Sequence, residues 1–278
     1  MNQQTNVIIA VYVDDILVLA PNSNLSLEVY KGLAQHFKVE NKGPPKTFLG
    51  LNIIRNARYL AINQSGYILR LRHFNMHNAY TAVTPMDASL LLLDARPGDR
   101  LADIQEYQEL IGSLNHAAIF SRPDISFAVS QLAQFNKQPT GTHMPMATAR
   151  RVLRYLKGTS TPSIVYKYKH RRGDHKRDDS DPDILGFTDA SGASDKNDRK
   201  SVTGYLFNIA GGIVSHQSYK QHAVAHSSTK SEYMAVSGAA REAIAAFHLL
   251  HELNLKIPAP LILSDHQGDV AVRIWCRI

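Results

Sequence analysis

The sequence predicts an α+β protein, with a β-hairpin and a run of helices in its first part and a mixed α/β layer in its second. Three observations carry this. Apolar, mostly β-branched runs flank a short polar break near the N-terminus. Apolar residues recur at helical spacing between Ile104 and Lys157. Beyond a densely charged stretch, three short strand patterns, one long helical pattern and a further strand pattern follow one another, as in a sheet covered by a helix.

The elements are justified in chain order. In "IIAVYVDDILVLA", Val7 to Val13 and Ile16 to Leu19 read as strands, and the two residues between them, Asp14 and Asp15, read as the tip of a hairpin. Asp-Asp is not a favoured turn pair, because like charges repel there. Two readings stand: a solvated turn, or two carboxylates held on a rigid tip for a divalent cation, which prefers oxygen ligands. "NLSLEVYKGLAQHF" carries Leu25, Val29, Leu33 and Phe37 on one helical stripe. "KTFLGLNIIRNARYLAINQSGYI" reads as a further hairpin, and "TPMD" with "SLLLLDARPGDR" as irregular connection.

Three helical pieces follow. The first has Leu110, Leu114 and Ala117 on one face. The second opens with Ser121 as N-cap and Pro123 in its first turn. The third ends at Gly158 in the C′ position. On that third helix Arg150, Arg151, Arg154 and Lys157 share a side, which reads either as a solvated face or as a row of phosphate contacts. "YKYKHRRGDHKRDDSDPD" is charged at most of its positions and reads as an exposed linker. "ILGFTDASGA", "SVTGYLFNIAG" and "GIVSHQSYKQ" are three consecutive short strands. The long helix after them starts with capping-box spacing at Thr229 and Glu232, and its expected buried stripe is Tyr233, Val236, Ala240, Ile244 and Phe247. "PLILSDHQGDVAV" is a fourth strand with an acid at its end.

Composition narrows the function classes. A hydrophobic content of 44% in 278 residues allows a substantial core and excludes wholesale disorder. The net charge of +7 favours an anionic partner, most often nucleic acid. A single cysteine, Cys276, excludes a disulfide framework and a Cys-rich zinc knuckle, and fits a reducing compartment. No apolar run approaches the roughly 18 residues of a membrane span, so no membrane partner is expected. The N-terminus lacks a basic n-region and does not read as a signal peptide.

Three acids fall at telling places in the second half. Asp189 lies in or just after the strand of Ile184, Leu185 and Phe187; Glu232 lies in the first turn of the long helix; Asp265 ends the strand of Leu261, Ile262 and Leu263. Acids at strand and helix ends can converge on one pocket that holds two Mg²⁺ for phosphodiester chemistry. Other constellations fail. "DASG" matches the aspartic-protease triplet only loosely, His222 and His226 lack a third ligand, and no phosphate-cradling Gly loop is present.

Four segments in one order resemble the C-terminal part of the polyprotein of copia-type LTR retrotransposons. "VYVDDILVLA" is similar to the family's polymerase motif, and "FKVENKGPPKTFLGLNI" to the segment that ends in its primer grip. "YQELIGSLNHAAIFSRPDISFAVSQLAQFNKQPTGTHMPMATARRVLRYLKGT" resembles the thumb and connection region. "GFTDASGASDKNDRKSVTGYLFNIAGGIVSHQSYKQHAVAHSSTKSEYMAVSGAAREAI" resembles its RNase H.

The resemblance implies a partial reverse-transcriptase palm over 1–88, a helical thumb and connection over 89–165, a charged linker over 166–183 and an RNase H-like domain over 184–278. It implies that Asp14 and Asp15 are metal-binding carboxylates of a polymerase, with Tyr12 and Val13 near the primer end and Phe48, Leu49 and Gly50 holding the primer. Arg150, Arg151 and Arg154 become backbone contacts, and Asp189, Glu232 and Asp265 become nuclease metal ligands. The implied cofactor is Mg²⁺, with Mn²⁺ as a substitute. The implied partners are an RNA template, a DNA primer and an RNA–DNA hybrid, in a cytoplasmic retroelement particle or the nucleus.

Departures from the family pattern add expectations. The family's further palm Asp would precede Met1, a fourth nuclease acid would follow the "DHQ" segment, and Gly192 and His216 stand where the family usually has Trp. A chain cut at both ends is therefore expected, with polymerase activity lost and nuclease activity weakened. A non-catalytic nucleic-acid-binding module and an inactive remnant of a degenerate element are the other two readings.

Overall fold

A computed structural model describes residues 7–74, 78–87, 90, 92–94, 97–99, 102–139, 145–168, 183–195, 197–255, 257–264 and 270–273. The chain forms two compact units, Met1–Leu49 and Gly50–Ile278. Most of the charged linker, with Asp265 and Cys276, lies outside the described residues. Among the described residues, no helix is long and apolar enough to cross a membrane.

The first unit holds strands β1 (Ile8–Tyr12) and β2 (Asp15–Leu19), helix α1 (Ser23–Ala34) and a short strand β3 (Thr47–Phe48). β1 and β2 pair antiparallel, from Ile8 opposite Leu19 to Tyr12 opposite Asp15. The tip is therefore Val13–Asp14, one residue earlier than the sequence predicts. This register stacks Val11 against Ile16 and places Asp14 in the turn and Asp15 at the start of β2. Its cost is Val13 at φ 51°, a left-handed conformation that a β-branched residue rarely adopts. Asn22 caps α1, its Oδ1 accepting from the Leu25 N–H at 3.0 Å. The helix ends at Ala34, so Phe37 of the predicted stripe falls beyond it and is exposed.

Among the described residues of this unit none is fully buried, and Val11 is 67% exposed. An isolated two-stranded hairpin is marginal in water. In native-state hydrogen exchange, amides of β1, β2 and α1 are expected to exchange orders of magnitude faster than those of the second unit's helices. Equal protection in both units would contradict this.

The second unit begins with β4 (Leu51–Arg55) and β5 (Tyr59–Asn63), joined by a turn in which Asn56 Oδ1 accepts from the Arg58 and Tyr59 N–H groups at 2.8 and 2.9 Å. β6 (Ile164–Lys167) adds antiparallel to β5. The predicted second hairpin ends at Asn63, because Ser65–Arg70 is a helix, α2. Helices α3 (Ile104–Ser121), α4 (Ser126–Ala133) and α5 (Pro145–Gly158) follow. Tyr107, Leu110, Leu114, Ile125, Leu132 and Val152 are at the centre of their shared core. Ser121 is the last residue of α3 rather than an N-cap; its hydroxyl donates to Gln64 Oε1 at 2.8 Å. Gly158 is the last residue of α5, and the space it leaves is taken by Thr81, 3.0 Å from where a Cβ would sit.

A five-stranded sheet in the order β11-β10-β7-β8-β9 completes the unit, built from β7 (Ile184–Ser191), β8 (Val202–Ile209), β9 (Gly212–Lys220), β10 (Leu261–Ser264) and β11 (Val270–Arg273). β7, β8 and β9 are an antiparallel meander, and β10 lies parallel to β7. Helix α6 (Ser228–Glu252) covers one face, over a core of Ile184, Phe207, Ala239, Ala243, Phe247 and Ile262.

α6 departs from the expected stripe. Ser231, Ala235, Gly238, Ala239, Ala243 and Phe247 are buried, while Tyr233 is exposed and Val236, Ala240 and Ile244 are only half-buried. Small residues let the helix backbone approach the sheet closely. Tyr219 reaches so near to Gly238 that an added Cβ would stand 2.3 Å from its hydroxyl. The N-cap is Ser227, whose Oγ accepts from the Lys230 N–H at 3.2 Å, rather than a box of Thr229 and Glu232.

Helices and sheet belong to the same unit. Tyr166 donates to the Ile213 carbonyl at 2.8 Å, and His216 Nε2 donates to the Ala118 carbonyl at 2.9 Å. Lys220 Nζ reaches Gln134 Oε1 at 2.8 Å and Asp195 at 2.6 Å, holding the β7–β8 loop beside α4.

Candidate functional site

Strand alternation decides where the acid on β7 points. Ile184, Gly186, Thr188 and Ala190 are buried, Leu185 is half-buried, and Phe187, Asp189 and Ser191 are exposed. The buried set includes Ile184, which packs in the core beneath α6, so Asp189 stands on the opposite face of the sheet. There it lines a cleft of about 710 Å³ whose walls include Phe127, Phe187, Ser191, Gln217 and Ser264. Phe127 comes from α4, so a helix distant in sequence closes one side. His216 also lines the cleft; burial pushes its imidazole below the usual histidine value, which keeps it neutral near pH 7. In sequence Asp189 stood out here as a candidate ligand and His216 as a departure from the family pattern; Phe127 needed the packing of α4 on the sheet to be found.

Glu232 is half-buried, one turn inside α6. Because Ser227 is the N-cap, the capping explanation for Glu232 falls away. Gly192, at the end of β7, lies beside Ser231, the residue before Glu232: a Cβ there would be 3.9 Å from the Ser231 hydroxyl. Ser264, the last described residue of β10, pairs in register with Thr188, next to Asp189. Asp265 itself lies outside the described residues.

In the first unit, Asp14 sits in the turn and Asp15 opens β2, both exposed, with Tyr12 and Val13 beside them 59% and 81% exposed. Phe48 and Leu49 are half-buried, and Leu49 and Gly50 both take positive φ, 50° and 78°. Carboxylate oxygens suit a hard cation. Among the described residues, however, no three His, Cys, Asp or Glu side chains come together, so these residues by themselves do not make a metal centre.

The basic side of α5 is partly engaged within the chain. Arg150 pairs with Glu106 at 3.1 Å, Arg151 donates to the carbonyl and hydroxyl of Thr84 at 3.2 and 2.8 Å, and Lys157 holds the Ala79 carbonyl at 2.9 Å. Arg154 forms no ion pair among the described residues.

Comparison with known proteins places this geometry in context. Residues 1–88 match the family model described as reverse transcriptase (RNA-dependent DNA polymerase). The chain is 33% identical over 95% of its length to the retrovirus-related Pol polyprotein from transposon TNT 1-94 of Nicotiana tabacum, covering 20% of that protein. It is 35% identical over 93% of its length to the Pol polyprotein from transposon RE1 of Arabidopsis thaliana, covering 17% of it. A putative transposon Ty5-1 protein of Saccharomyces cerevisiae is 33% identical over 82% of this chain and 71% of its own length. The chain thus spans a fifth or less of the Pol polyproteins it matches.

Proposed function

The chain belongs to the polyproteins of copia-type retrotransposons, and on that premise we propose that it joins the later part of a reverse transcriptase to an RNase H-like nuclease. The nuclease would hydrolyse the RNA strand of an RNA–DNA hybrid. The observation that carries this reading is the setting of Asp189. It stands on the central strand of a sheet whose order is an antiparallel meander, then a covering helix, then a strand parallel to the first. Its carboxylate opens on a cleft that also offers a hydroxyl at Ser191 and an amide at Gln217. These are the groups that hydrogen-bond a sugar–phosphate backbone and its 2′-hydroxyls.

Reverse transcriptases generally use divalent metal ions and handle a nucleic-acid template and primer. In this chain the proposed metal-binding residues are Asp14 and Asp15 for polymerisation and Asp189, Glu232 and Asp265 for hydrolysis, with Mg²⁺ or Mn²⁺ supplying the Lewis acid. Arg150, Arg151 and Arg154 would contact phosphates, and Phe48, Leu49 and Gly50 the primer. A cytoplasmic retroelement particle is the proposed setting.

The test is cleavage of a labelled RNA–DNA hybrid by the whole chain, with Mg²⁺ and separately with Mn²⁺. The expected result is that the RNA strand is cut, and that Asp189→Asn and Glu232→Gln abolish cutting while melting as the unmodified chain does. No cleavage, or equal cleavage by the variants, would overturn the nuclease reading. Steeply salt-dependent hybrid binding that Asp189→Asn leaves intact would then identify a binding module.

A further inference from the structure

Among the described residues three glycines lie inside strands, and packing requires two of them. A Cβ at Gly186 would run into the Phe207 ring, and one at Gly212 into the Tyr166 ring. Gly204, inside β8, is different: a Cβ there would meet nothing within 4 Å. Its φ is not positive, and the bulge in β8 lies further along, between Phe207 and Asn208. Neither packing nor backbone conformation calls for glycine here, and a strand is less stable for having one. A strand glycine without those reasons marks a place where a ligand comes close to the backbone.

The neighbours of Gly204 specify the ligand. The register sets Asp189 of β7 and Ser218 of β9 directly beside it. Along β8, Val202 and Leu206 flank it on the same face. All five residues line the cleft on which Asp189 opens. The bare backbone at Gly204 is thus the floor of a dimple, with a carboxylate on one side, a hydroxyl on the other and an apolar wall at each end. Thr188 fixes this floor, its hydroxyl donating to the Gly204 carbonyl at 3.1 Å. Neighbouring strands lie about 4.8 Å apart, so the backbones of Asp189 and Ser218 are separated by about 10 Å. The Ser218 hydroxyl has no partner among the described residues. A ribose fits these surroundings: its carbons meet the walls, its hydroxyl meets Ser218, and its phosphate lies on the Asp189 side. A deoxyribose would leave Ser218 unanswered.

We propose that Ser218 is a specificity-determining residue of this cleft: a ribose of the RNA strand rests on Gly204 and its 2′-hydroxyl bonds to the Ser218 hydroxyl. Both groups donate and accept, so the bond forms in either sense. The inference rests on the nuclease reading above and adds to it how this chain tells RNA from DNA.

The experiment measures binding of two labelled duplexes to the full chain by anisotropy, in EDTA so that neither is cut. One is an RNA–DNA hybrid. The other carries 2′-fluorine in place of each 2′-hydroxyl, which removes the donor. Ser218→Ala is expected to lower the preference for the hydroxyl-bearing hybrid about fivefold, the order of one lost hydrogen bond, and Ser218→Thr to restore it. Gly204→Val fills the dimple and is expected to weaken hybrid binding about tenfold, the order of overfilling a packed space. Its thermal midpoint should hold or rise, because the side chain has room and suits a strand. A glycine kept for structure alone would not give weaker binding with unimpaired stability. An unchanged preference in Ser218→Ala, equal weakening of both duplexes, or either wild-type affinity or a lower midpoint in Gly204→Val would overturn the proposal. If Asp189-dependent cleavage with Mg²⁺ persists in that case, the nuclease reading stands without it. If the hybrid is neither bound nor cut, both fail.

Discussion

Arg122→Ala is expected to lower the stability of the second unit by about 2–4 kcal/mol, from the cavity and the lost hydrogen bonds, a large fraction of the 5–15 kcal/mol typical of a folded domain. Arg122 is 1% exposed, and every polar edge of its guanidinium is used. Nε and Nη2 donate to the two oxygens of Asp124 at 2.9 and 2.6 Å. Nη1 and Nη2 donate to the carbonyl and hydroxyl of Thr159 at the end of α5. Tyr155 donates to Asp124 Oδ2 at 2.7 Å and lies under the guanidinium, 5.4 Å from its ring centroid. One side chain thus joins the α3–α4 corner to the end of α5. Its removal leaves Asp124 without its counter-charge, held by the Tyr155 hydroxyl, and takes the guanidinium donor from the Thr159 carbonyl, as well as opening a cavity. In thermal denaturation the midpoint should fall by on the order of 10 °C. Arg150→Ala breaks the exposed pair with Glu106 and should cost no more than about 1 kcal/mol. Equal losses from the two substitutions would contradict the argument.

The same cluster has a pH signature. Burial pushes the Asp124 carboxyl up, but hydrogen bonds from Arg122 and Tyr155 and the Arg122 charge outweigh it and hold the group below its usual value. A carboxylate depressed in the folded state stabilises above its unfolded pKa, and that contribution is lost as pH falls through the folded value. The stability difference between the unmodified chain and Arg122→Ala should therefore narrow as pH falls through that value, because the contribution the substitution removes is one the unmodified chain itself loses in acid.

What could be read from the sequence divides along a physical line. Leu110, Leu114 and Ala117 fall on one helical face and are all fully buried, because the apolar period records which side of a helix meets the core. The three strands around Asp189 were equally legible from their β-branched and aromatic runs. The facing of α6 was not. Its large residues suggested a stripe through Tyr233 and Ile244, whereas the sheet accepts Ala235, Gly238 and Ala239, since close approach rewards small side chains that a hydrophobicity pattern ranks low. Ser121 matched a helix start by type, yet α3 runs through it and its hydroxyl answers Gln64, a residue far away in the chain. The cleft shows the same limit. Asp189 could be singled out by its place after a strand, but Phe127 belongs to a helix whose contact with the sheet no local pattern records.

Gly186→Ala should destabilise the sheet by about 1–3 kcal/mol, although strand propensity alone argues the opposite sign. Glycine within a strand loses more conformational entropy than alanine, so alanine would normally gain about 0.5–1 kcal/mol. At Gly186 the packing outweighs that gain. An added Cβ would stand 2.3 Å from Phe207 Cε1, with two further ring carbons within 2.9 Å. Phe207 cannot retreat, because it is fully buried in the cluster with Ala239, Ala243 and Phe247 beneath α6. The strain must then spread into β8 or lift the helix. Gly238→Ala meets a Tyr219 hydroxyl at the same 2.3 Å, but that atom is the tip of a half-buried side chain that can swing aside, so its cost should be smaller. Urea denaturation of the two variants ranks them. The decisive measurement is the double variant Gly186→Ala with Phe207→Leu. If the ring is the obstacle, the pair loses less stability than the sum of the single losses, by on the order of 1 kcal/mol. Strict additivity would mean that the close approach of β7 to Phe207 does not limit this core.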